Sequence, residues 1–348
     1  MLFKVRTIFA MVLASALMCS GPYSSAALAR AQKKDKSEKP KKQKEEKTGK
    51  ESAQGKASAE PHAVMWQEPV DIESRDLYYG IGGSAGAPDP NGKFTFESRS
   101  ASGTSEKIHV LDDKGRKWTV KFGPEARPET AASRIVWAAG YHTDQDYFVK
   151  RAHIEGRGGF DVRDVRFERG DDGYKEDGLW PWEENPFIGT RDLQGLKILM
   201  ALLNNWDLKT ENNKIVRPNK KSGGDRDMRV YYVADVGGTL GATGSFFNKL
   251  PLFGNAPAGS KGNPGAYAEQ AFIDGVRDGH VLFHYKGKDP KALAGVTVEN
   301  ARWMGNLLGR LSDKQLADAF RAAGFSDSEV TTYVRAMRAR INELKNIK

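Results

Sequence analysis

The spacing of apolar residues changes once along this chain, and that change restricts the fold more than any other feature. Apolar and polar residues alternate over residues 93–98, 107–110 and 117–122, which is typical of half-buried β-strands. In the second half the apolar residues instead recur every three or four positions, as in amphipathic helices. The order predicts an α+β fold with a small antiparallel β-rich lobe, residues 66–170, followed by a larger helical lobe, residues 171–348.

The segments between these runs favour antiparallel pairing in the first lobe. Residues 112–116, Asp-Asp-Lys-Gly-Arg, have the composition of a hairpin turn, and residues 98–105 form a loop of small residues. An Ala-rich helix is predicted over residues 129–139. Two further short strands are predicted over residues 147–149 and 162–167.

Start signals mark three helices of the second lobe. Thr190 can cap a helix, and Ser312-x-x-Gln315 and Ser326-x-x-Glu329 are both capping boxes. A packed terminal helix is predicted by an apolar stripe spaced four and three residues apart: Val330, Val334, Met337, Ile341 and Leu344.

The first 29 residues have the pattern of a signal peptide. Lys4 and Arg6 give a positive start, residues 8–18 form an apolar run, and Ala27-Leu28-Ala29 is the small-x-small pattern after which signal peptidases cut. The run is too short to cross a bilayer as a helix. We therefore expect an exported protein, periplasmic or extracellular, cleaved after Ala29.

The alternative for the leader is a lipoprotein anchored through Cys19. Met18 is bulky for the position before a lipidated cysteine, which favours cleavage after Ala29 instead. Cys19 is the single cysteine of the chain, and this excludes an internal disulfide framework and a cysteine-rich zinc site.

Residues 30–65 are predicted to form a disordered tether, because Lys, Glu, Ser, Gln and Gly leave little to bury. The net charge of +9 lies mainly before the folded part: residues 30–60 hold eleven basic and six acidic side chains, whereas residues 61–348 hold 41 and 39. The folded part therefore gives no support for nucleic-acid binding. The tether is either a solubilising spacer or a basic tail that rests on anionic membrane or wall polymer.

A polar loop directly after an apolar helix carries the sharpest motif. Residues 207–212 read Asp-Leu-Lys-Thr-Glu-Asn, and two predicted strands follow over residues 213–216 and 229–234. The second strand ends in Asp235-Val236-Gly237. The chain has two other Asp-x-Gly triplets, but only this one ends an apolar strand behind such a loop.

This arrangement resembles the protein-kinase-like superfamily over roughly residues 90–240. Residues 207–212 resemble its catalytic loop, and residues 235–237 resemble its metal-binding Asp-x-Gly. Val120-Lys121-Phe122 is similar to the third-strand lysine motif, with Glu129 as its helix partner. The atypical HipA-like and lipid-kinase-like branch is the most similar, because its phosphate loops are likewise short and irregular.

The resemblance implies a bilobal kinase-like fold that binds ATP. Lys121, fixed by Glu129, would hold the α- and β-phosphates. Residues that match the phosphate-covering hairpin in position, though without the full glycine pattern, are Gly103, Thr104 and Ser105.

The resemblance also implies transfer of the γ-phosphate of Mg-ATP to an unidentified hydroxyl acceptor. Asp207 would orient the attacking hydroxyl, and Lys209 would neutralise the γ-phosphate. Asp235 and Asn212 would bind Mg²⁺.

Departures from the family pattern leave alternatives open. Asn205-Trp206 stand where the family has His-Arg, and no Ala-Pro-Glu follows Asp235. Lys121 could instead be an edge-strand lysine, and Glu129 a helix-start acid that interacts with the helix dipole. The alternative functions are a non-catalytic kinase-fold binding or scaffold protein of the cell envelope, and an enzyme that transfers the nucleotide rather than the phosphate.

Overall fold

The structure is a computed structural model, and it describes residues 62–100, 106–170, 173–220, 224–244 and 259–348. Several predictions lie outside these residues: the signal peptide, Cys19, the tether up to residue 61, and the phosphate-loop residues Gly103, Thr104 and Ser105.

The described ranges contain strands in both halves of the chain. They are β1 (His62–Val64), β2 (Phe94–Ser100), β3 (Lys107–Asp112), β4 (Lys117–Lys121), β5 (Asp146–Glu155), β6 (Phe160–Arg169), β7 (Tyr174–Leu179), β8 (Asn213–Pro218), β9 (Met228–Val233), β10 (Ile273–Arg277) and β11 (His280–Phe283). The α-helices are α1 (Gly83–Gly86), α2 (Ala126–Ala138), α3 (Arg191–Leu202), α4 (Pro264–Glu269), α5 (Val298–Gly309), α6 (Asp313–Ala322) and α7 (Asp327–Asn346).

Five strands close into a barrel in the order β2, β3, β4, β6, β5. The predicted antiparallel pairing of the first three strands is confirmed, and closure comes from a short parallel contact between β2 and β5. Because side chains alternate across a strand, Ile108, Val110, Trp118 and Val120 all point into the barrel and are buried. The closure itself was not predicted. Strands β5 and β6, which complete the barrel, are each ten residues long, and are thus longer than the short strands expected there.

A second sheet has the order β1, β9, β8, β7. The two strands predicted after the polar loop correspond to β8 and β9 and pair with each other. Strand β1 pairs in parallel with β9 through His62, which lies inside the stretch assigned to the tether. Strand β1 therefore lies before residue 66, the predicted start of the lobe.

The second half contributes the larger hydrophobic core, in which α3, α5, α6 and α7 pack on one another. The Thr190 side chain caps α3 by accepting from Leu193 N, as predicted. Both capping boxes are also present, at the starts of α6 and α7. The α+β class, strand-rich first and helical later, is confirmed. None of the helices in the described ranges is both long and apolar enough to cross a lipid bilayer.

Gly195, in the middle of α3, is required by packing. A Cβ atom there would meet Tyr141 Oη and would lie 2.7 Å from Trp303 Cζ3. Tyr141 cannot move freely, because its hydroxyl donates to Asp192 O at 2.8 Å. We expect Gly195→Ala to lower the free energy of unfolding by about 1–2 kcal/mol, because overpacking outweighs the roughly 1 kcal/mol that alanine gains over glycine within a helix.

Urea unfolding of Gly195→Ala and Gly265→Ala measures this effect. Gly265 lies in α4, where a new Cβ would meet only Asn263 Oδ1 at 3.6 Å, so that variant should be as stable as the wild type or more so. Equal midpoints for the two variants would contradict the packing argument.

Candidate active site

The turn after α3 sets the position of the polar loop. Asn204 adopts the left-handed conformation (φ +53°), which asparagine tolerates better than most residues, and it ends the helix. Its Nδ2 donates to Gly241 O at 2.6 Å, and its Oδ1 accepts from Arg340 of α7 at 2.8 Å. Asn205 Oδ1 then accepts from Asp207 N at 3.2 Å. The asparagines are therefore turn residues whose buried contacts fix where Asp207 lies.

Asp207 lies between two ammonium groups. Lys209 Nζ is 3.1 Å from its Oδ2, and Lys288 Nζ is 2.8 Å from its Oδ1. Burial opposes ionisation of this carboxyl, but the hydrogen bonds from Lys288 and Lys209 outweigh burial and lower its pKa. Asp207 is therefore ionised at neutral pH.

Asn212 connects the loop to the strand that carries Asp235. Its Nδ2 donates to Asp207 O at 2.8 Å, and its backbone oxygen accepts from Ala234 N at 2.8 Å. The structure thus brings the predicted residues Asp207, Asn212 and Asp235 onto adjacent segments.

The Asp-x-Gly segment needs its glycine for close packing. Asp235 Oδ1 accepts from Gly237 N at 3.1 Å. A Cβ at Gly237 would lie 2.9 Å from Glu125 Cβ, which is closer than side chains tolerate. The missing side chain therefore lets the start of α2 approach Asp235.

Three carboxylates come together where the start of α2 approaches Asp235. One oxygen each of Glu125, Glu129 and Asp235 lies within 4.8 Å of the others. Glu125 and Glu129 are one helical turn apart, so both face Asp235. Glu125 was not predicted as a site residue, and the only sequence signal for it is this spacing of four from Glu129.

Lys121 makes a different ion pair from the one expected. Its Nζ lies 3.0 Å from Glu168 Oε2, whereas Glu129 Oε1 lies 2.6 Å from Nη1 of Arg166. The strand register explains the exchange, because Arg166 is directly opposite Lys121 across β4 and β6. Arg166 alternates with core residues, points out of the barrel toward α2, and meets Glu129 there.

The charges in this cluster shift one another's pKa values. Burial and Arg166 oppose the positive charge of Lys121, but Glu129, Glu168 and Asp146 outweigh them and raise its pKa. Burial would raise the pKa of Glu168, but Lys121 and Arg166 prevail and lower it to about 2. For Glu129 burial prevails, and its pKa is raised well above the usual range.

Two lysines beyond the predicted set approach the loop. Lys261 Nζ and Lys288 Nζ each lie 5.6 Å from the ring centroid of Trp206, the residue before Asp207. Lys261 also pairs with Glu125 at 2.5 Å. No local motif marks either lysine in the sequence.

No protein-family model matches the chain, and no curated protein matches it. Among solved structures, the chain is similar to the Helicobacter pylori proinflammatory kinase CtkA, with a TM-score of 0.38 and 12% identity over 74% of this chain and 95% of that one. It is also similar to the Rio2 kinase of Chaetomium thermophilum in an ADP/Mg²⁺-phosphoaspartate complex, with a TM-score of 0.30 and 13% identity over 71% and 72%.

Replacing Arg166 with methionine tests the buried charge cluster. Its side chain is fully buried and contacts Glu129 and also Asp146, the latter at 2.8 Å. Removing one partner leaves buried carboxylates without compensation, so we expect Arg166→Met to lose about 3–5 kcal/mol of unfolding free energy at pH 7. Arg151→Met is the control, since Arg151 pairs with Asp161 across the same two strands but is 60% exposed; it should lose about 1 kcal/mol or less.

The pH dependence gives a second measurement on Arg166→Met. Burial already raises the pKa values of Glu129 and Asp146 in the folded state. Without the guanidinium these pKa values rise further above their values in the unfolded chain, which are about 4. The folded variant then binds more protons than the unfolded chain, so its stability falls as pH rises. The deficit should be smaller at pH 5 than at pH 8. A deficit independent of pH would contradict it.

Proposed function

We propose that this chain is an atypical kinase-like phosphotransferase that moves the γ-phosphate of Mg-ATP to a hydroxyl acceptor. The observation that carries the proposal is the link from Asp207 through Asn212 to the segment of Asp235, next to the carboxylates of Glu125 and Glu129. Phosphoryl transfer needs this combination, because it depends on positioning and on charge neutralisation more than on covalent chemistry.

The carboxylate cluster fits a magnesium ion. Mg²⁺ prefers oxygen ligands, and three carboxylate oxygens converge here. Glu129 Oε1 is ion-paired with Arg166 but has no hydrogen-bond partner among the described residues, so it keeps acceptor capacity for a cation. Asp235, Glu129 and Glu125 would hold the ion, which would supply charge neutralisation for the phosphates. Asn212 would bind the ion through its Oδ1, because its Nδ2 donates to Asp207 O.

The other residues supply orientation and charge. Asp207 is ionised and partly exposed, so its carboxylate can accept the hydrogen bond of an incoming hydroxyl. Lys209 adjoins it and can neutralise charge on the transferred group. Lys121 is held by Glu168 at the edge of the same cluster, where its ammonium can bind phosphate oxygens.

One observation favours the non-catalytic alternative. Both oxygens of Asp207 are ion-paired, with Lys209 and Lys288, so the carboxylate is engaged unless one lysine gives way. A kinase-fold binding or scaffold protein of the cell envelope would tolerate this arrangement. Such a protein would bind the nucleotide or a partner without turnover.

The site of action in this proposal is outside the cytoplasm. It rests on the leader, residues 1–29, and on the predicted cleavage after Ala29. The following tether would act as a spacer or rest on anionic membrane or wall polymer. The acceptor hydroxyl would then belong to a molecule of the periplasm or of the surroundings.

Nucleotide binding is tested by thermal unfolding of the full chain with Mg-ATP, beside Asp235→Asn. At a hundredfold excess over the dissociation constant, binding adds about 2.7 kcal/mol, which corresponds to roughly 5 °C in the melting temperature. We expect this shift to require Mg²⁺ and to disappear in Asp235→Asn. Asp274→Asn, which alters an exposed carboxylate on β10, should keep it. An equal shift in both variants would show that Asp235 is not a ligand.

Turnover is tested with γ-labelled Mg-ATP and a panel of small hydroxyl compounds. We expect Asp207→Asn to lower transfer by about 10²–10⁴-fold while the thermal shift remains, because the residue acts on the hydroxyl and not on the nucleotide. A wild-type shift without any transfer would favour the scaffold alternative. The mass added to the product distinguishes phosphoryl from nucleotidyl transfer.

A further inference from the structure

Lys288 is held beside Asp207 by its backbone. Lys288 N donates to Trp206 O at 2.7 Å, and the two segments form a parallel bridge between Asp207 and Lys288. Tyr285 Oη donates to Lys288 O at 2.8 Å. Gly287 has no side chain because a Cβ there would lie 2.6 Å from Trp206 O. The two hydrogen bonds and the close approach at Gly287 thus fix the place of one lysine that the kinase resemblance does not include.

Asp207 is shared between two ammonium groups. Its single carboxylate is ion-paired with Lys209 and with Lys288. Lys209 is also attracted by Asp235 and Glu211. Lys288 has no carboxylate partner other than Asp207 among the described residues, so of the two ammonium groups it is the one that depends on Asp207 alone.

The ammonium group of Lys288 is accessible. The side chain of Lys288 is 43% exposed, whereas that of Asp207 is 17% exposed. An ammonium group has three N–H donors, and the ion pair with Asp207 Oδ1, which lacks hydrogen-bond geometry, leaves donors unused. The remaining donors can bind an oxyanion, and such charge-assisted hydrogen bonds are the stronger kind.

Lys261 is less accessible than Lys288. Its ammonium lies as close to the ring of Trp206, but it pairs with Glu125 and its side chain is 27% exposed, against 43% for Lys288. Of these two lysines, Lys288 is therefore the one that a ligand reaches more easily.

We infer that Lys288 binds an anionic group of the acceptor, so that the substrate of this site is a hydroxyl compound that also carries a phosphate or a carboxylate. The inference rests on the proposed function and specifies its acceptor. When the oxyanion takes the ammonium of Lys288, Asp207 Oδ1 becomes free to accept the hydrogen bond of the neighbouring hydroxyl. Acceptor binding thus releases the carboxylate that the ion pair holds.

The first test measures the anion site without turnover. The full chain is treated with a limiting amine-acylating reagent, and modification of each lysine is followed by peptide mass spectrometry. Inorganic phosphate or acetate should slow modification of Lys288 at least about threefold relative to chloride at equal ionic strength. Lys314 is the matched control, since it also pairs with one aspartate, Asp318, at 2.6 Å. Equal behaviour of Lys288 and Lys314 would overturn the inference.

The second test measures acceptor choice with two matched pairs, glycerol 3-phosphate against glycerol and glycerate against 1,2-propanediol. We expect the wild type to prefer the anionic member of at least one pair by about tenfold, as one charge-assisted hydrogen bond allows. Lys288→Gln should reduce the preference to about twofold, and Lys288→Arg should retain it. The pair that shows the preference tells whether the anionic group that Lys288 binds is a phosphate or a carboxylate.

The two tests separate the two possible failures. Protection of Lys288 without transfer to any acceptor means that the anion site is present and the proposed function fails. Transfer without a preference, or with one that persists in Lys288→Gln, means that the proposed function holds and the inference about Lys288 is wrong.

Discussion

The buried guanidinium of Arg166 is the contact on which the geometry of the site depends. It lies between the barrel and α2, and its charge is shared by Glu129, Asp146 and Glu168. Removing such a group from water is costly, so it remains folded only where its partners surround it closely. Because one of those partners is on α2, the start of that helix is held against the strands, and Glu125 is carried toward Asp235.

In the kinase resemblance one cation, Lys121, both pairs with the helix glutamate and binds phosphate. In this structure the pairing with the glutamate is made by Arg166 instead. Arg166 holds the helix glutamate and is fully buried. Lys121, its neighbour across the strands, pairs with Glu168 instead and keeps a partly exposed side chain. Arginine suits the buried position because its fork of donors serves several carboxylates at once. The ammonium group of Lys121 therefore remains partly accessible to a ligand.

The polar loop depends on a second set of tertiary contacts, made from the far end of the chain. Arg340 of α7 donates to Leu202 O at 2.9 Å and to Asn204 Oδ1 at 2.8 Å, and it is almost completely buried. The last helix therefore fixes the turn that precedes Asp207. On the other side of the loop, Gly287 has no side chain, so the segment that carries Lys288 can pack closely against Trp206.

The sequence by itself determined the local elements and the residues whose meaning is local. Alternation predicted β3 and β4, the caps at Thr190, Ser312 and Ser326 predicted three helix starts, and the apolar strand before Asp235 predicted β9. These features follow from hydrogen bonds and side-chain spacing within a few residues, so the chain encodes them in short segments. The placing of Asp207 and Asn212 in one loop follows for the same reason.

Only the tertiary structure decided which charges meet. The closure of the barrel, the exchange of partners between Lys121 and Arg166, and the approach of Glu125 and Lys288 all join segments far apart in the chain. Each depends on strand register and on close backbone approach, and a shift of one residue in β6 would turn Arg166 into the barrel. The sequence pattern names acidic and basic residues but not their partners, because ion pairs are chosen by position in space.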